Sequence, residues 1–459
     1  MKRPILSRAL ATLLALPVLA SATAPSASLP PPAPEDRLEL TVEQCVDLGL
    51  TYSRSLYASL MDVLIARARA REVAAKKLPT LAFTASTTRL SDIPPFELTV
   101  ELPSMPPMKF VLAGTILNST TFKMTAQQPL FTGFALESAS RAARLSAQAA
   151  KLTHDRDRAE LVYGIRQAYW GLVQARELGR LIDENVGLVA AHLGDVQRLF
   201  EQGLAKNHDV MKVRVQLSQM KLTQLEAGNR VKLSSMGLCS LLGLSLDREV
   251  IPLSTATADG NDPPVAEDAA VARALADRPE LKALSSRQQA AKEGVRLARS
   301  AYLPQVALVG NYTVANPNTR YQPVETRFRD DWDISVGLSW TLWNSRATAF
   351  QVQQAKLQVQ QAEAARGQLV DAITLEVRQN LFDLLQAREK IKLAGESVQQ
   401  AEENHRITRE RFKAGLTTNS ELLDAEVFLL QTKVSRTQAQ IEYVLAVARL
   451  DKSMGKNRE

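Results

Sequence analysis

One long helical pattern occurs twice in the 459-residue sequence, and this duplication limits the possible folds more than any other feature. The first copy covers residues 130–204 and the second covers residues 342–416, at a constant offset of 212 positions. The string LVQARE at 172–177, for example, aligns with LLQARE at 384–389. At ~1.5 Å per residue, roughly 70 helical residues span on the order of 100 Å. Because no ordinary globular core is that deep, the helices are predicted to pack along each other's length.

Before each copy, the spacing of apolar residues changes from a helical period to a period of two, which predicts β-strands. We expect strands at about 79–91 and 115–129 in the first half, and at about 304–314 and 331–342 in the second. The last strand has the clearest alternation, with apolar residues at Trp332, Ile334, Val336, Leu338, Trp340 and Leu342. Each half is therefore predicted to contain a β-hairpin with one apolar and one polar side.

The chain divides into two similar halves joined by a linker rich in Pro, Asp and Gly. The first repeat is placed at 38–244, the linker at 245–265 and the second repeat at 266–456. The predicted helices are 41–77, 131–203 and 204–243 in the first repeat, and 267–302, 343–415 and 416–455 in the second. The fold class is predicted as mainly α with β, with an internal two-fold repeat.

The first 24 residues have the features of a secretory signal peptide. Lys2 and Arg3 precede an apolar run, and small residues at 22–24 offer a cleavage site. The alternative is a buried N-terminal helix. Residues 25–37 form a Pro-rich leader, and no later apolar run is long enough for a spanning helix. Export without such a helix leaves a soluble periplasmic or secreted protein, or a β-barrel in an outer membrane.

Charge and side-chain chemistry argue against nucleic-acid binding and against an enzyme. Of the formal net charge of +7, three positive charges belong to the signal peptide, and the remaining Lys and Arg alternate with Asp and Glu. The four histidines form no i, i+4 ligand pair, and there is no Gly-rich phosphate loop. We therefore expect no catalytic residues, no metal and no cofactor. Cys45 and Cys239 either form one disulfide or remain two buried thiols.

Four predicted strands are too few to close a membrane barrel, because such barrels begin at about eight strands. An oligomer sharing one barrel solves this problem, and three copies would supply twelve strands. Trp332 and Trp340 lie on the apolar side of one strand, where they suit an aromatic girdle at a membrane interface. The alternative is a small soluble sheet that caps a coiled coil, with both tryptophans in its core.

The order of segments and several short motifs resemble the TolC-like family of outer-membrane efflux proteins. A Leu-Pro pair precedes the first strand of each half at 78–79 and 303–304, and QPLF and WTLW precede the long helices. The turns LFEQGL at 199–204 and RFKAGL at 411–416 complete the resemblance, which covers 38–456. It implies a homotrimer with a twelve-stranded outer-membrane barrel, continued by a long α-helical coiled-coil barrel across the periplasm.

The resemblance also implies a function and its partners. The chain would be a passive exit duct that contacts outer-membrane lipid and works with a periplasmic adaptor and an inner-membrane transporter. It would lie in the outer membrane and extend into the periplasm. The alternative from another class is a soluble periplasmic coiled-coil scaffold or adaptor protein. Neither function requires a cofactor.

Specific residues follow from the same resemblance. The family's periplasmic entrance carries acidic residues after the turn glycines, and these positions are Asp209, Glu421 and Asp424 here. Glu421 and Asp424 share one helix face, so three copies would stack rings of negative charge. The alternative is ordinary carboxylates near helix N-termini. The adaptor-contact turns would be those of Gly203, Leu204, Gly415 and Leu416. Thr417 replaces a basic residue that the family often uses to close the entrance.

Overall fold

The structure is a computed structural model that describes residues 37–94, 96–100, 107–113, 116–254 and 266–456. The predicted signal peptide and residues 25–36 of the predicted leader lie outside these ranges. The described helices are α1 (Val42–Tyr52), α2 (Arg54–Ala75), α3 (Ala135–Glu201), α4 (Asn207–Leu242), α5 (Glu267–Asp277), α6 (Pro279–Arg299), α7 (Ala347–Lys413) and α8 (Asn419–Ser453). None of them combines the length and the apolarity that a membrane-spanning helix needs.

The described strands belong to three small sheets. They are β1 (Arg37–Leu40), β2 (Thr80–Arg89), β3 (Phe96–Val100), β4 (Met108–Ala113), β5 (Asn118–Phe131), β6 (Glu249–Pro252), β7 (Gln305–Asn316) and β8 (Arg329–Ser339). The largest sheet is antiparallel and has the order β2-β5-β7-β8. Strands β3 and β4 form a hairpin between the strands predicted at 79–91 and 115–129, where no further strand was predicted.

The helices predicted at 41–77 and 267–302 are each broken in two. Pro279 restricts Arg278 to an extended conformation (φ −61°, ψ 126°), because the proline ring disfavours a helical conformation of the residue that precedes it. Ser53 adopts nearly the same angles (φ −63°, ψ 123°) without a proline. The first piece, α1, has a complete capping box: Gln44 N donates to Thr41 Oγ1, and Thr41 N donates to Gln44 Oε1.

The long helices begin four residues later than the predicted starts at 131 and 343. Before α3, β5 continues to Phe131 and Phe134 has φ 67°. Before α7, Ser345 and Arg346 have φ 52° and 66°. Left-handed residues cannot continue a right-handed helix, so the helices start only after them. Both long helices then run for 67 residues.

The predicted linker at 245–265 contains a strand that the sequence did not reveal. Residues of β6 pair in parallel with β1, from Arg37↔Glu249 to Leu40↔Pro252. Tyr169 of α3 ties this small sheet to the helices, because its hydroxyl donates to Leu40 O (3.1 Å) and accepts from Ser254 N (3.0 Å). The start of the chain's described part is therefore fixed to the segment that joins the two halves.

The four-stranded sheet has one apolar and one polar face, because directly paired antiparallel residues point to the same side. The apolar face is exposed and carries Leu81, Phe83, Phe122, Met124, Leu308, Tyr312, Trp332, Ile334, Val336 and Leu338. On the polar face, Thr125 donates to Asn311 (3.0 Å), and Asn311 donates to Asp333 (2.9 Å). The two faces of the sheet thus differ in polarity.

The helices pack lengthwise, and the main core lies where α1, α3, α4 and α8 meet. The end of α4 approaches the break between α1 and α2 closely. A Cβ on Gly243 would lie 2.2 Å from Tyr52 O, so only glycine fits there. Cys45 and Cys239 belong to this core as free, fully buried thiols, and burial raises the pKa of Cys45 to about 12. The disulfide alternative is not realised in this structure.

Candidate functional site at the paired helical turns

Two turns of the same geometry reverse the chain at the far ends of the long helices. Gly203 and Gly415 have φ values of 76° and 73°, which a residue with a side chain rarely adopts. Leu204 N donates to Leu199 O (2.8 Å), and Leu416 N donates to Arg411 O (2.9 Å). These bonds close a Schellman-type helix end.

The side chains of Leu204 and Leu416 are mostly exposed. An exposed leucine at each turn has no role in the core of the single chain.

The two turns lie side by side at one end of the molecule. His192 of α3 is hydrogen-bonded to Asn419 at the start of α8 (2.6 Å), and its ring lies 5.1 Å from the ring of Phe412. Asn419 also donates to Asp209 O at 3.4 Å. A hydrophobic cluster beneath these bonds joins all four helices through Val189, Val196, Val210, Val213, Leu423 and Phe412. The sequence alone gave no sign of the His192–Asn419 contact, because it depends on tertiary packing.

Two of the three predicted acidic residues occupy the third position of a return helix. Asp209 is half-buried, and its carboxylate accepts a hydrogen bond from Lys206 N (3.2 Å). Glu421 is exposed and accepts from the hydroxyl of Thr417, while its own N–H donates to Thr418 Oγ1 (3.3 Å). Both carboxylates therefore lie in the first turn of a helix, where the helix dipole favours negative charge. Asp424, one turn later, is exposed.

One charge difference between the two halves lies close to the predicted acidic residues. Lys212 occupies the place in α4 that Asp424 occupies in α8, and its ammonium group donates to Ser420 Oγ (2.5 Å). A positive charge therefore lies beside the first turn of the helix that carries Glu421. Thr417, which stands where a basic residue was expected, bonds to Glu421 instead of forming an ion pair. Sequence reasoning had not singled out Lys212.

A buried carboxyl group lies slightly deeper, between α8 and α7. Glu426 is 5 % exposed, and its Oε2 has no hydrogen-bond partner in the described structure. Its other oxygen, Oε1, lies 4.0 Å from His405 Nε2. Burial raises the pKa of Glu426 to about 7, against the lowering effect of Arg409. Burial also lowers the pKa of His405, and Arg409 and Lys433 lower it further. Both shifts favour the neutral forms, so this contact is not a stable ion pair at neutral pH.

The two predicted girdle tryptophans lie far from the turns, on the four-stranded sheet. Trp332 is paired with Tyr312 and belongs to the apolar face. Trp340 follows the end of β8, and its Nε1 donates to Tyr302 O at 3.1 Å. More than half of each side chain is exposed, so neither belongs to a core within one chain. Trp332 lies within β8 and Trp340 directly after it, about 27 Å apart at ~3.4 Å per residue.

Comparison with known proteins is informative over most of the chain. The model of the "Outer membrane efflux protein" family matches residues 47–244 and 270–456. Outer membrane protein TolC of Vibrio cholerae is 21% identical over 296 residues, which cover 64% of this chain and 67% of that protein. The alkaline protease secretion protein AprF of Pseudomonas aeruginosa is 25% identical over 334 residues, which cover 71% of this chain and 68% of that protein.

Solved structures share the fold. The outer membrane protein VceC of Vibrio cholerae superimposes with a TM-score of 0.73 and 19% identity, over 90% of this chain and 96% of that one.

Proposed function

The chain belongs to the outer membrane efflux protein family, and from that premise we propose that it forms the outer-membrane exit duct of a tripartite export system. The family consists of export channels of the outer membrane and not of enzymes. In the proposed system, an inner-membrane pump supplies the energy and a periplasmic adaptor connects it to the duct. The single observation that carries the proposal is the sheet, whose exposed apolar face and polar face suit the wall of a lipid-embedded pore.

In this proposal the four-stranded sheet is one third of a closed barrel. Among the described strands, the edge strands β2 and β8 are each paired on one side only, with β5 and β7 respectively. An open edge next to an exposed apolar face invites pairing with another chain, and closure removes such edges. Three copies would give twelve strands, with Trp332 and Trp340 near the two borders of the membrane.

The internal repeat predicts the strand register between neighbouring copies. Helices α1 and α2 start 225 residues before α5 and α6, and α3 and α4 start 212 residues before α7 and α8. The strand pairing follows the same offsets, since Thr80↔Gln127 corresponds to Gln305↔Ser339. Applying these offsets to the Ala126↔Gly310 pair predicts that Leu338 of one copy faces Ala85 of the next. Both lie on the apolar face, so the predicted register joins like faces.

The paired turns are proposed as the periplasmic entrance. Asp209, Glu421 and Asp424 of three copies would surround a narrow aperture with negative charge and favour cations. Lys212 would offset part of this charge. The exposed Leu204 and Leu416, on turns fixed by Gly203 and Gly415, supply small apolar contacts for an adaptor.

Membrane residence tests the proposed function most simply. Ile334→Arg places a charge on the apolar face and is expected to cost about 2–4 kcal/mol near the bilayer midplane, so the protein should leave the outer-membrane fraction. Ser335→Arg, one residue away on the polar face, is the matched control and should remain in that fraction and conduct in planar bilayers. A wild-type protein that stays in the periplasmic extract would support the soluble scaffold instead.

Ion selectivity tests the entrance separately. Replacing Asp209 and Asp424 by Asn and Glu421 by Gln should reduce cation preference in planar bilayers, because each copy loses three negative charges. Glu226→Gln, which removes an exposed carboxylate from the middle of α4, should leave the preference unchanged. Equal selectivity in the triple variant and the wild type would rule out the acidic rings.

A further inference from the structure

An open cationic pocket lies where the four-stranded sheet meets the helices. Arg141 of α3 and Arg296 and Arg299 of α6 line it together with Phe134, Ser138 and Leu303. One buried carboxylate, Glu293, accepts from Arg141 Nε (2.9 Å) and from Arg296 Nη1 (2.7 Å). The side chain of Arg299 has no hydrogen-bond or ion-pair partner among the described residues. Three guanidinium groups against one carboxylate leave the pocket with a net positive charge.

The apolar face of the sheet continues directly into this pocket. At the helix-proximal end of the sheet, Phe131 is paired with Val306, and Val306 is paired with Leu338 on the apolar face. The ring of Phe131 meets the ring of Phe134 edge-to-face at 5.4 Å, and Phe134 is exposed at the rim of the pocket. A ligand in the pocket can therefore contact the arginines and the apolar face at the same time.

The height of the pocket matches a membrane border. Strand β8 has 11 residues, which extend about 37 Å at ~3.4 Å per residue. A tilt of about 40° reduces this to roughly 28 Å along the membrane normal, close to the thickness of the hydrocarbon layer. The pocket lies just beyond one end of that span, at the level where lipid headgroups are found.

We propose that this pocket binds the phosphate of a membrane phospholipid, with the lipid's acyl chains along the apolar face of the sheet. The inference rests on the proposed function, since it requires the sheet to lie in a bilayer. Guanidinium groups bind phosphate oxygens through paired, charge-assisted hydrogen bonds, and a partly neutralised arginine cluster retains free N–H groups for this purpose. The preferred ligand is an anionic phospholipid such as phosphatidylglycerol.

The test counts lipids that remain bound. Wild-type protein is reconstituted in nanodiscs of mixed phosphatidylglycerol and phosphatidylcholine, released into mild detergent and measured by native mass spectrometry. We expect the wild type to retain phosphatidylglycerol preferentially. Arg296→Gln with Arg299→Gln should weaken this retention about tenfold. Arg214→Gln with Arg230→Gln, two exposed arginines of α4, is the control of equal charge change and should behave as the wild type.

Other outcomes would overturn the proposal. Equal retention by the wild type and the double variant contradicts it, as does loss of retention in the α4 control. Displacement of the lipid by millimolar inorganic phosphate alone would show a free-anion site instead. Arg299→Gln is the safer single variant, because the Arg299 side chain has no partner in the described fold, and it should lose retention in part. Wild-type protein that does not insert into bilayers would instead overturn the proposed function.

Discussion

The two longest helices, α3 and α7, have equal lengths and similar sequences but very different surroundings. Both contain 67 residues, yet sixteen residues are buried in α3 and ten in α7. Helix α3 packs against α1, α2 and α4 of its own half and against α6 and α8 of the other half. Among the described elements, α7 packs mainly against α5, α6 and α8. The counterparts of α6 and α8 in the first half are α2 and α4. Within the described chain, α7 does not pack against these two helices as α3 packs against α6 and α8.

Individual positions make the same point. Trp170, Val173 and Leu181 of α3 are 9%, 9% and 6% exposed. Their counterparts in α7 are Phe382, Leu385 and Leu393, which are 60%, 48% and 60% exposed. Trp170 and Val173 pack near Ile441 and Leu445 of α8, and the counterpart of Leu445 is the exposed Leu233 of α4. The exposed Phe382 and Leu385 of α7 and Leu233 of α4 are therefore expected to meet between copies, since large exposed apolar patches mark interaction surfaces.

The largest expected effect comes from truncating Trp170 and its counterpart Phe382 in turn. Trp170→Ala should destabilise the single chain by about 3–5 kcal/mol, because it removes a buried aromatic side chain from the main core. Phe382→Ala should leave the chain folded and weaken only assembly. Thermal unfolding and native gel mobility of the two variants distinguish these outcomes. If Phe382→Ala lowered the thermal midpoint as much as Trp170→Ala, the two positions would have the same role in the single chain, which would contradict the comparison.

A smaller effect is expected at Glu426, which has no acidic counterpart in α4, since the equivalent position there is Arg214. Its pKa is raised to about 7 in the folded state from 4.5. Protonation therefore favours the fold. The stabilisation is complete below about pH 4.5 and is lost as the pH rises through about 7. Glu426→Gln should remove this dependence and stabilise the protein by about 3 kcal/mol at most at pH 8.

The measurement is the thermal midpoint of both proteins between pH 5 and pH 8. His405, whose pKa is lowered, and Arg409 act on this carboxyl group, and Lys433 acts on His405. All three residues are unchanged in the variant. Identical pH profiles for the wild type and Glu426→Gln would show that Glu426 is not the group that titrates. A parallel series with His405→Gln separates the contribution of the histidine.

The smallest effect is expected at the turns, where the two halves are most alike. Gly203→Ala and Gly415→Ala should each cost on the order of 1 kcal/mol, because alanine is strained at a positive φ. No neighbouring atom lies within 4 Å of a Cβ added at either glycine, so the cost is conformational only. Chemical denaturation should give nearly equal losses. A much larger loss at one glycine would show that the turns are not equivalent.

The parts of the fold that follow from local periodicity were accessible from the sequence. The alternation from Trp332 to Leu338 predicted β8, and the helical spacing between Pro129 and Gly203 predicted α3. The pairing of β1 with β6 could not be predicted from the sequence. Both strands have only four residues and no clear period, and the whole first half of the chain separates them. The helix starts were displaced because positive φ angles at Phe134 and Arg346 depend on packing.

The candidate site was partly accessible for the same reason. The turn glycines could be located at the ends of the long helical patterns, and the acidic positions followed from the resemblance to the efflux family. The contact between His192 and Asn419, the bond from Lys212 to Ser420 and the buried Glu426 arise only when α3, α4, α7 and α8 come together. The residue spacing within a single helix does not predict contacts between different helices.

A disulfide across the proposed seam between copies tests the central claim most directly. In a background with Cys45→Ala and Cys239→Ala, Leu338→Cys with Ala85→Cys should link neighbouring copies and give covalent trimers on a denaturing gel. Ala126→Cys with Gly310→Cys, the corresponding pair within one chain, is the control and should give a cross-linked monomer. Formation of the control cross-link with no covalent oligomer from the seam pair would contradict the account.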